Sequence, residues 1–292
     1  MGFDRQLDLE YLRTCWELAL GALESLASAL KVQFILFKDF TELTGEILPI
    51  DRLGQYSRIG GRTFCQLAVP FPSVEAYLAS LAESTRRALC QGLKRAQAVT
   101  VERTREPGRW LERIYGLYRQ RPAQSGIGLG FYSRLFFEQI CQTLTGAEYL
   151  LFFLDGQLVS FDLVIRSGDR LVEKCLAFDS ELGRGHNLYF RTWMEKVEIC
   201  IEHRLPELHT GSNAESLKVK MGAQSIPSVI LLRHRNPLVN RLVRHFTVRL
   251  AYEPELVLPD FVLGGRWLRT ADGGTLAGSS TTPVTGVDRT WP

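Results

Sequence analysis

The 292-residue sequence carries a formal charge of +3, with 45% apolar and 23% charged residues. That profile belongs to a folded globular chain and excludes a collagen-like repeat, a disulfide scaffold or global disorder, and so small a net charge does not by itself argue for nucleic-acid binding. Six scattered cysteines without a CxxC pair or a Cys/His ligand spacing argue against a zinc site, and no metal is expected; most sit in apolar runs and read as buried free thiols in a reducing compartment.

Asp4, Arg5, Asp8 and Glu10 interrupt any apolar run near the start, so no secretory leader is expected. No apolar stretch nears the ~20 residues of a membrane span, and the default address is cytoplasmic. Leu12, Trp16, Leu20, Leu23, Ala27 and Leu30 recur at helical spacing and predict one long helix. Val32 to Lys38 and Thr63 to Val69 read as strands. Pro70-Phe-Pro-Ser breaks the chain, and Ser73 is placed to cap a helix that runs on from Val74 through Lys94 and Arg95.

From Ala98 the pattern is more regular. A strand, Ala98 to Arg103, precedes a helix from Trp110 to Gln120, and a glycine loop leads to a second helix from Ser133 to Leu144. Ala147 to Leu154, Leu158 to Arg166 and Leu171 to Phe178 form an antiparallel meander, joined by Asp155-Gly156 and Ser167-Gly168-Asp169, both strong hairpin-turn signals. After the glycine-containing loop Glu181 to His186, Asn187 caps a long helix to about Arg204. Leu208 to Gly211 is a brief strand, Ser212 to Met221 a loop or short helix, and Val229 to Arg233 a last core strand. Asn236-Pro237 opens a basic amphipathic helix to about Leu250. The composition then turns to Gly, Ser, Thr and Pro, which predicts disorder from about residue 270.

The charge is unevenly spread. Ser216 to Tyr252 contains no Asp or Glu but holds Lys218, Lys220, Arg233, Arg235, Arg241, Arg244 and Arg249. Such an excess suits the phosphates of a coenzyme, an RNA or an anionic membrane; a plain solvated basic face is the alternative.

The element order from Ala98 to Arg235 resembles the GNAT fold, in which acyl-CoA binds where two central strands splay apart. Three segments sharpen the resemblance toward the FemAB-like and CelD-type relatives. They are Tyr77-Leu-Ala-Ser-Leu with Thr85-Arg-Arg-Ala-Leu and Lys94, then Phe178-Asp-Ser-Glu-Leu-Gly-Arg-Gly-His-Asn-Leu-Tyr-Phe, and Gly211-Ser-Asn-Ala-Glu-Ser-Leu-Lys-Val-Lys-Met-Gly. The resemblance covers about Val74 to Pro237. The first ~70 residues are similar to the second half of another GNAT-like unit. It implies an α/β (α+β) GNAT fold, a central mixed, mostly antiparallel sheet flanked by helices, preceded by a partial GNAT-like unit. The expected division is 1–97, then an acyltransferase domain over 98–250, then an extension over 251–292.

A pyrophosphate needs converging backbone N–H donors, which a helix start after a glycine loop supplies. Gly183, Arg184, Gly185 and Asn187, with Phe178 at the strand end, are therefore the candidate coenzyme contacts. The loop is a degenerate form of the family's Q/R-x-x-G-x-G/A pattern, and a glycine turn capped by Asn187 is the plain alternative.

Acyl transfer to an amine rests on positioning, with a backbone N–H near Phe178 or Asp179 to hold the developing oxyanion. Asp179, Glu181 and His186 are the titratable groups near the strand end; Asp179 equally reads as a turn residue and His186 as a loop residue. Lys218 occupies the family's lysine position and is the preferred cationic contact, with Lys220 second. Tyr189 reads as a wall of the acceptor pocket or as packing. Arg86, Arg87, Lys94 and Arg95 read as a clamp for a phosphate-bearing donor or as the exposed face of a structural helix.

Three functions are compatible with these residues. The first is an acyl-CoA-dependent N-acyltransferase acting on an amine of a small metabolite or cell-envelope precursor. The second takes aminoacyl-tRNA as donor. The third is a non-catalytic module whose helix at 238–250 docks on an anionic membrane or a partner.

Overall fold

The computed structural model describes residues 8–41, 55–120, 132–179, 181, 186–211 and 213–247. The expected tail beyond 250, and the stretches 42–54 and 121–131, lie outside them. Two sheets organise the chain. Among the described residues one sheet has seven strands and the other three.

The larger sheet is built around the predicted meander, β5 (Ala147–Leu154), β6 (Gln157–Ser167) and β7 (Arg170–Phe178). Asp155 and Gly156 both adopt positive φ, 49° and 74°, in the first turn, as a tight two-residue hairpin requires. β4 (Thr100–Thr104) pairs antiparallel with β5 on one side. On the other, β7 meets β8 (Glu207–Thr210) in the sheet's one parallel pairing. β8 is followed by β3 (Phe64–Ala68) and β9 (Gln224–Ile226), both antiparallel to their neighbours. The sheet is therefore mixed and mostly antiparallel, the architecture expected.

Helices cover both faces. On one side α4 (Leu111–Arg119) and α5 (Arg134–Thr143) bury Ile114, Leu117 and Phe137 against Tyr149, Phe161 and Leu163. On the other lie α2 (Val74–Ser80), α3 (Glu83–Arg95), α6 (Leu188–Glu202) and the short α7 (Glu215–Lys220). Helix α6 is enclosed almost all round, with Tyr189, Phe190, Trp193, Met194 and Val197 buried, so it is the central helix of this layer.

The single helix expected from Val74 onward is two. Leu81 and Ala82 are extended between α2 and α3. Ser80 Oγ donates 2.7 Å to the carbonyl of Tyr77, the acceptor that a continuing helix would offer to Leu81. The break turns Tyr77 inward. Its hydroxyl donates 2.9 Å to the Met221 carbonyl and accepts 2.8 Å from Trp193 Nε1, so one phenol ties α2, α6 and the end of α7 together. Helix α3 then lies so close to α6 that a Cβ at Gly92 would sit 2.3 Å from Phe190 Cδ2.

The smaller sheet joins distant parts of the chain. β10 (Ser228–His234) runs between β1 (Phe34–Thr41) and β2 (Ser57–Gly60), antiparallel to both. Helix α1 (Leu9–Ala29) covers it through Trp16 and Leu20, which pack on Phe37, Phe40 and Leu231. The first 70 residues thus give β1 and β2 to one sheet and β3 to the other. Helix α8 (Pro237–Thr247) follows β10.

Candidate functional site

β7 and β8 pair only from Arg170 opposite Glu207 to Val172 opposite His209. Beyond Val172 the two parallel strands are no longer paired. A bulge starts there: Leu163 and Val164 of β6 face Cys175 and Glu173, leaving Lys174 as the extra residue. The bulge also switches the alternation of side chains. Leu171 lies in the core on the α6 side, whereas Cys175 and Ala177 lie in the core on the opposite side. The two adjacent parallel strands thus part at their carboxyl ends, where a crevice for a ligand usually forms in such a sheet.

Charged side chains are buried where the strands part. Lys196 of α6, 1% exposed, donates to Asp162 Oδ2 at 2.6 Å and to Glu173 Oε2. The Lys218 ammonium, equally buried, lies 3.9 Å from Glu173 Oε1 and donates 2.8 Å to the Gly211 carbonyl. Glu173 thus stands between two lysines.

Moving such ions out of water costs several kcal/mol each, which only close pairing offsets. Lys196 keeps its proton firmly because two carboxylates face it, against the opposing effect of burial. Lys218 has the weaker partners, and burial pushes its ammonium below the usual lysine range. Asp162 is pushed up by complete burial, against the pull of Lys196. The two ends of the Lys196–Asp162 pair thus pull differently. The direction for Asp162 fits its geometry, because its Oδ1 accepts no hydrogen bond.

The Tyr189 hydroxyl is the second buried polar atom here without a partner. It lies within electrostatic reach of Glu173, Cys65 and Asp162, and burial holds it protonated well above the ordinary tyrosine range. Among the described residues this phenol has no hydrogen-bond acceptor. Cys65, opposite Thr210 on β3, is enclosed, and burial pushes its thiol up to about 11, so it is not a thiolate nucleophile near neutrality. All six cysteines are free, with Cys65, Cys141, Cys175 and Cys200 buried.

Of the residues expected at the site, Lys218 and Tyr189 are both buried in this cluster around Glu173. Phe178 ends β7, its ring 6.4 Å from that of Tyr189. Asp179 is buried and already engaged: Oδ2 is paired with Arg113, and Oδ1 accepts the Glu181 N–H at 2.9 Å. That is turn chemistry. The Glu181 side chain is exposed, and Lys220 lies on the exposed side of α7. His186 is half-buried, with Nδ1 enclosed and unpartnered. Asn187 stands at the N-cap of α6 but makes no side-chain cap; it takes a left-handed conformation, φ 46°, instead. Gly183, Arg184 and Gly185 lie outside the described residues.

On α3, Arg87 pairs along the helix with Glu83, both well exposed, and Lys94 and Arg95 are exposed as well. Asp162, Glu173 and Lys196 were not singled out from sequence. The available signal was a carboxylate inside a continuous apolar strand, as in Phe161-Asp-Leu-Val.

Comparison with known proteins agrees with this geometry. Residues 81–219 match the family described as acetyltransferase (GNAT) domain. No curated protein matches the sequence. Among solved structures, FemX superposes with a TM-score of 0.57 at 15% identity, covering 83% of this chain and 81% of its own. L-PGS from Bacillus licheniformis gives 0.52 at 12% identity, covering 78% and 76%. The C-terminal domain of an Agrobacterium fabrum protein described as a lysylphosphatidylglycerol synthetase gives 0.51 at 10%, covering 77% and 75%. The order of elements, the parting strands and the matched segment agree: residues 81–219 match the GNAT acetyltransferase domain family, and the chain has a GNAT fold shared with FemX and L-PGS.

Proposed function

We propose that this protein is an N-acyltransferase that moves an acyl group from acyl-CoA to an amine by direct attack in the crevice between β7 and β8. The observation that carries the reading is the buried Lys218 beside Glu173 where the strands part, with the unpartnered Tyr189 hydroxyl in the same cluster.

The described residues fit the acyl end of such a donor. A thioester supplies an activated carbonyl. Its oxygen suits the Tyr189 phenol, a neutral donor enclosed in a low-dielectric wall. Lys218, with its proton affinity lowered by burial, is suited to pass a proton. As the amine nitrogen bonds to the carbonyl carbon and the carbon–sulfur bond breaks, the proton lost by the amine reaches the departing sulfur by way of Lys218. The phosphates fall to Gly183, Arg184 and Gly185 ahead of α6. His186, at the start of α6, is the second group able to take the amine proton. Asp179 serves as an anchor for the turn through Arg113.

For the acceptor we keep the class that direct attack on a thioester requires, an amine of a small metabolite or cell-envelope precursor. The test is calorimetric titration of the full chain with acetyl-CoA, longer acyl-CoAs and free CoA, beside a Gly185→Glu variant. Binding lost in the variant supports both the donor and its place. If no CoA species binds the folded protein, the acyl-CoA reading fails, and aminoacyl-tRNA is the donor to titrate next.

A further inference from the structure

Ten of the fourteen large apolar side chains exposed among the described residues fall on two stretches of chain, α1 with the start of β1, and α8. On α8, Leu238, Leu242 and Phe246 recur at i, i+4 and i+8 and are 72%, 58% and 59% exposed. The inward side is fixed by Asn240, whose amide donates to the Gln55 carbonyl and whose Oδ1 accepts the His234 N–H, both at 2.9 Å. A second group of exposed apolar residues adjoins the start of α8. The Arg235 N–H donates 2.9 Å to the Gln33 carbonyl, its guanidinium reaches Ser28 Oγ, and Phe34 meets the His234 ring at 4.7 Å. Leu30, Val32 and Phe34, all exposed, therefore share a corner with Leu238.

The charge on α8 has one sign. Helix α8 contains Arg241, Arg244 and His245 and no carboxylate, and Arg235 lies just before it, while Arg233 is paired with Glu24 of α1, a helix that also carries the exposed Glu10 and Glu17. An apolar stripe flanked by arginines matches neither water nor a neutral protein face; it matches the boundary of an anionic bilayer, where leucines enter the acyl layer and guanidinium groups meet phosphate. We infer that α8, with the α1–β1 corner beside it, seats the protein on an anionic lipid surface.

The test is co-sedimentation of the full chain with vesicles of phosphatidylcholine alone or with one quarter phosphatidylglycerol. The protein is expected to partition onto the anionic vesicles, less so at high salt. Replacing Arg241→Ala with Arg244→Ala lowers the partition coefficient by roughly 10- to 30-fold. Leu238→Glu with Leu242→Glu abolishes binding while the circular dichroism spectrum is unchanged. Leu135→Glu, an exposed leucine on α5, leaves binding as it was. Absence of partition by the folded chain, or partition that the α8 leucine pair does not alter, overturns the proposal. So does sedimentation velocity showing a dimer that this same pair dissolves, which would assign the face to a second copy.

Discussion

The Lys218 ammonium faces the Glu173 carboxylate across 3.9 Å, at the point where β7 and β8 stop pairing. Glu173 is also held by Lys196, so Lys218 is the less tightly bound of the two buried lysines. Replacing Lys218 by Met keeps the volume and removes the ion. We expect kcat to fall by about 10²–10³-fold, the usual loss when a group stabilising developing charge is removed. Thermal stability should change little, because Glu173 keeps Lys196. Steady-state kinetics beside a melting curve would separate the two effects, and a fully active K218M would remove Lys218 from the chemistry.

Lys196 is structural by the same geometry. Lys196→Met leaves Asp162 and Glu173 enclosed without their shared cation, which should destabilise the fold by about 3–5 kcal/mol. Adding Asp162→Asn should recover part of that loss by removing one of the two enclosed carboxyl groups. Urea unfolding of the single and double variants gives the coupling directly. Simple additivity would show that Asp162 and Lys196 do not act as a pair.

Asp162 makes a prediction about pH. Burial raises its carboxyl from 3.8 to about 7. The folded chain then holds a proton that the unfolded chain has released. Its contribution to stability is complete below about pH 4 and is lost as pH rises toward 7. The Asp162→Asn variant should therefore lack a decline in stability that the parent shows across this window. Chemical denaturation at several pH values checks it; parallel pH profiles for the two proteins would contradict the direction.

Asp179 separates a base from an anchor. Asn at this position can still accept the Glu181 N–H, so Asp179→Asn should keep most of the activity, whereas Asp179→Ala should raise KM by loosening the approach to α6. Loss of a general base would instead cost about 10²–10⁴-fold in kcat for both variants.

Gly92 sets the spacing of α3 and α6. A Cβ there meets the Phe190 ring, so Gly92→Ala should cost about 1–3 kcal/mol, the range for overpacking a filled core. Phe190→Leu in the same chain should relieve part of it, as read from melting temperatures.

Sequence alone determined much of the local structure. Periodicity located α1, α4, α5 and α6, alternation and turn residues located the meander, and Ser73 caps its helix through its side-chain oxygen as expected. These are short-range effects, settled within a few residues of chain. The order of elements was enough to suggest the fold and the lysine at 218. What tertiary structure decided lies at longer range. Whether Ser80 ends a helix depends on Tyr77 reaching Met221 and Trp193, far along the chain. That Asp162, Glu173, Lys196 and Lys218 form one cluster depends on a one-residue bulge and on where two strands stop pairing. A charged side chain reads the same in sequence whether it faces water or another charge; only packing from four separate elements, β6, β7, α6 and α7, removes the water and makes these four one buried cluster.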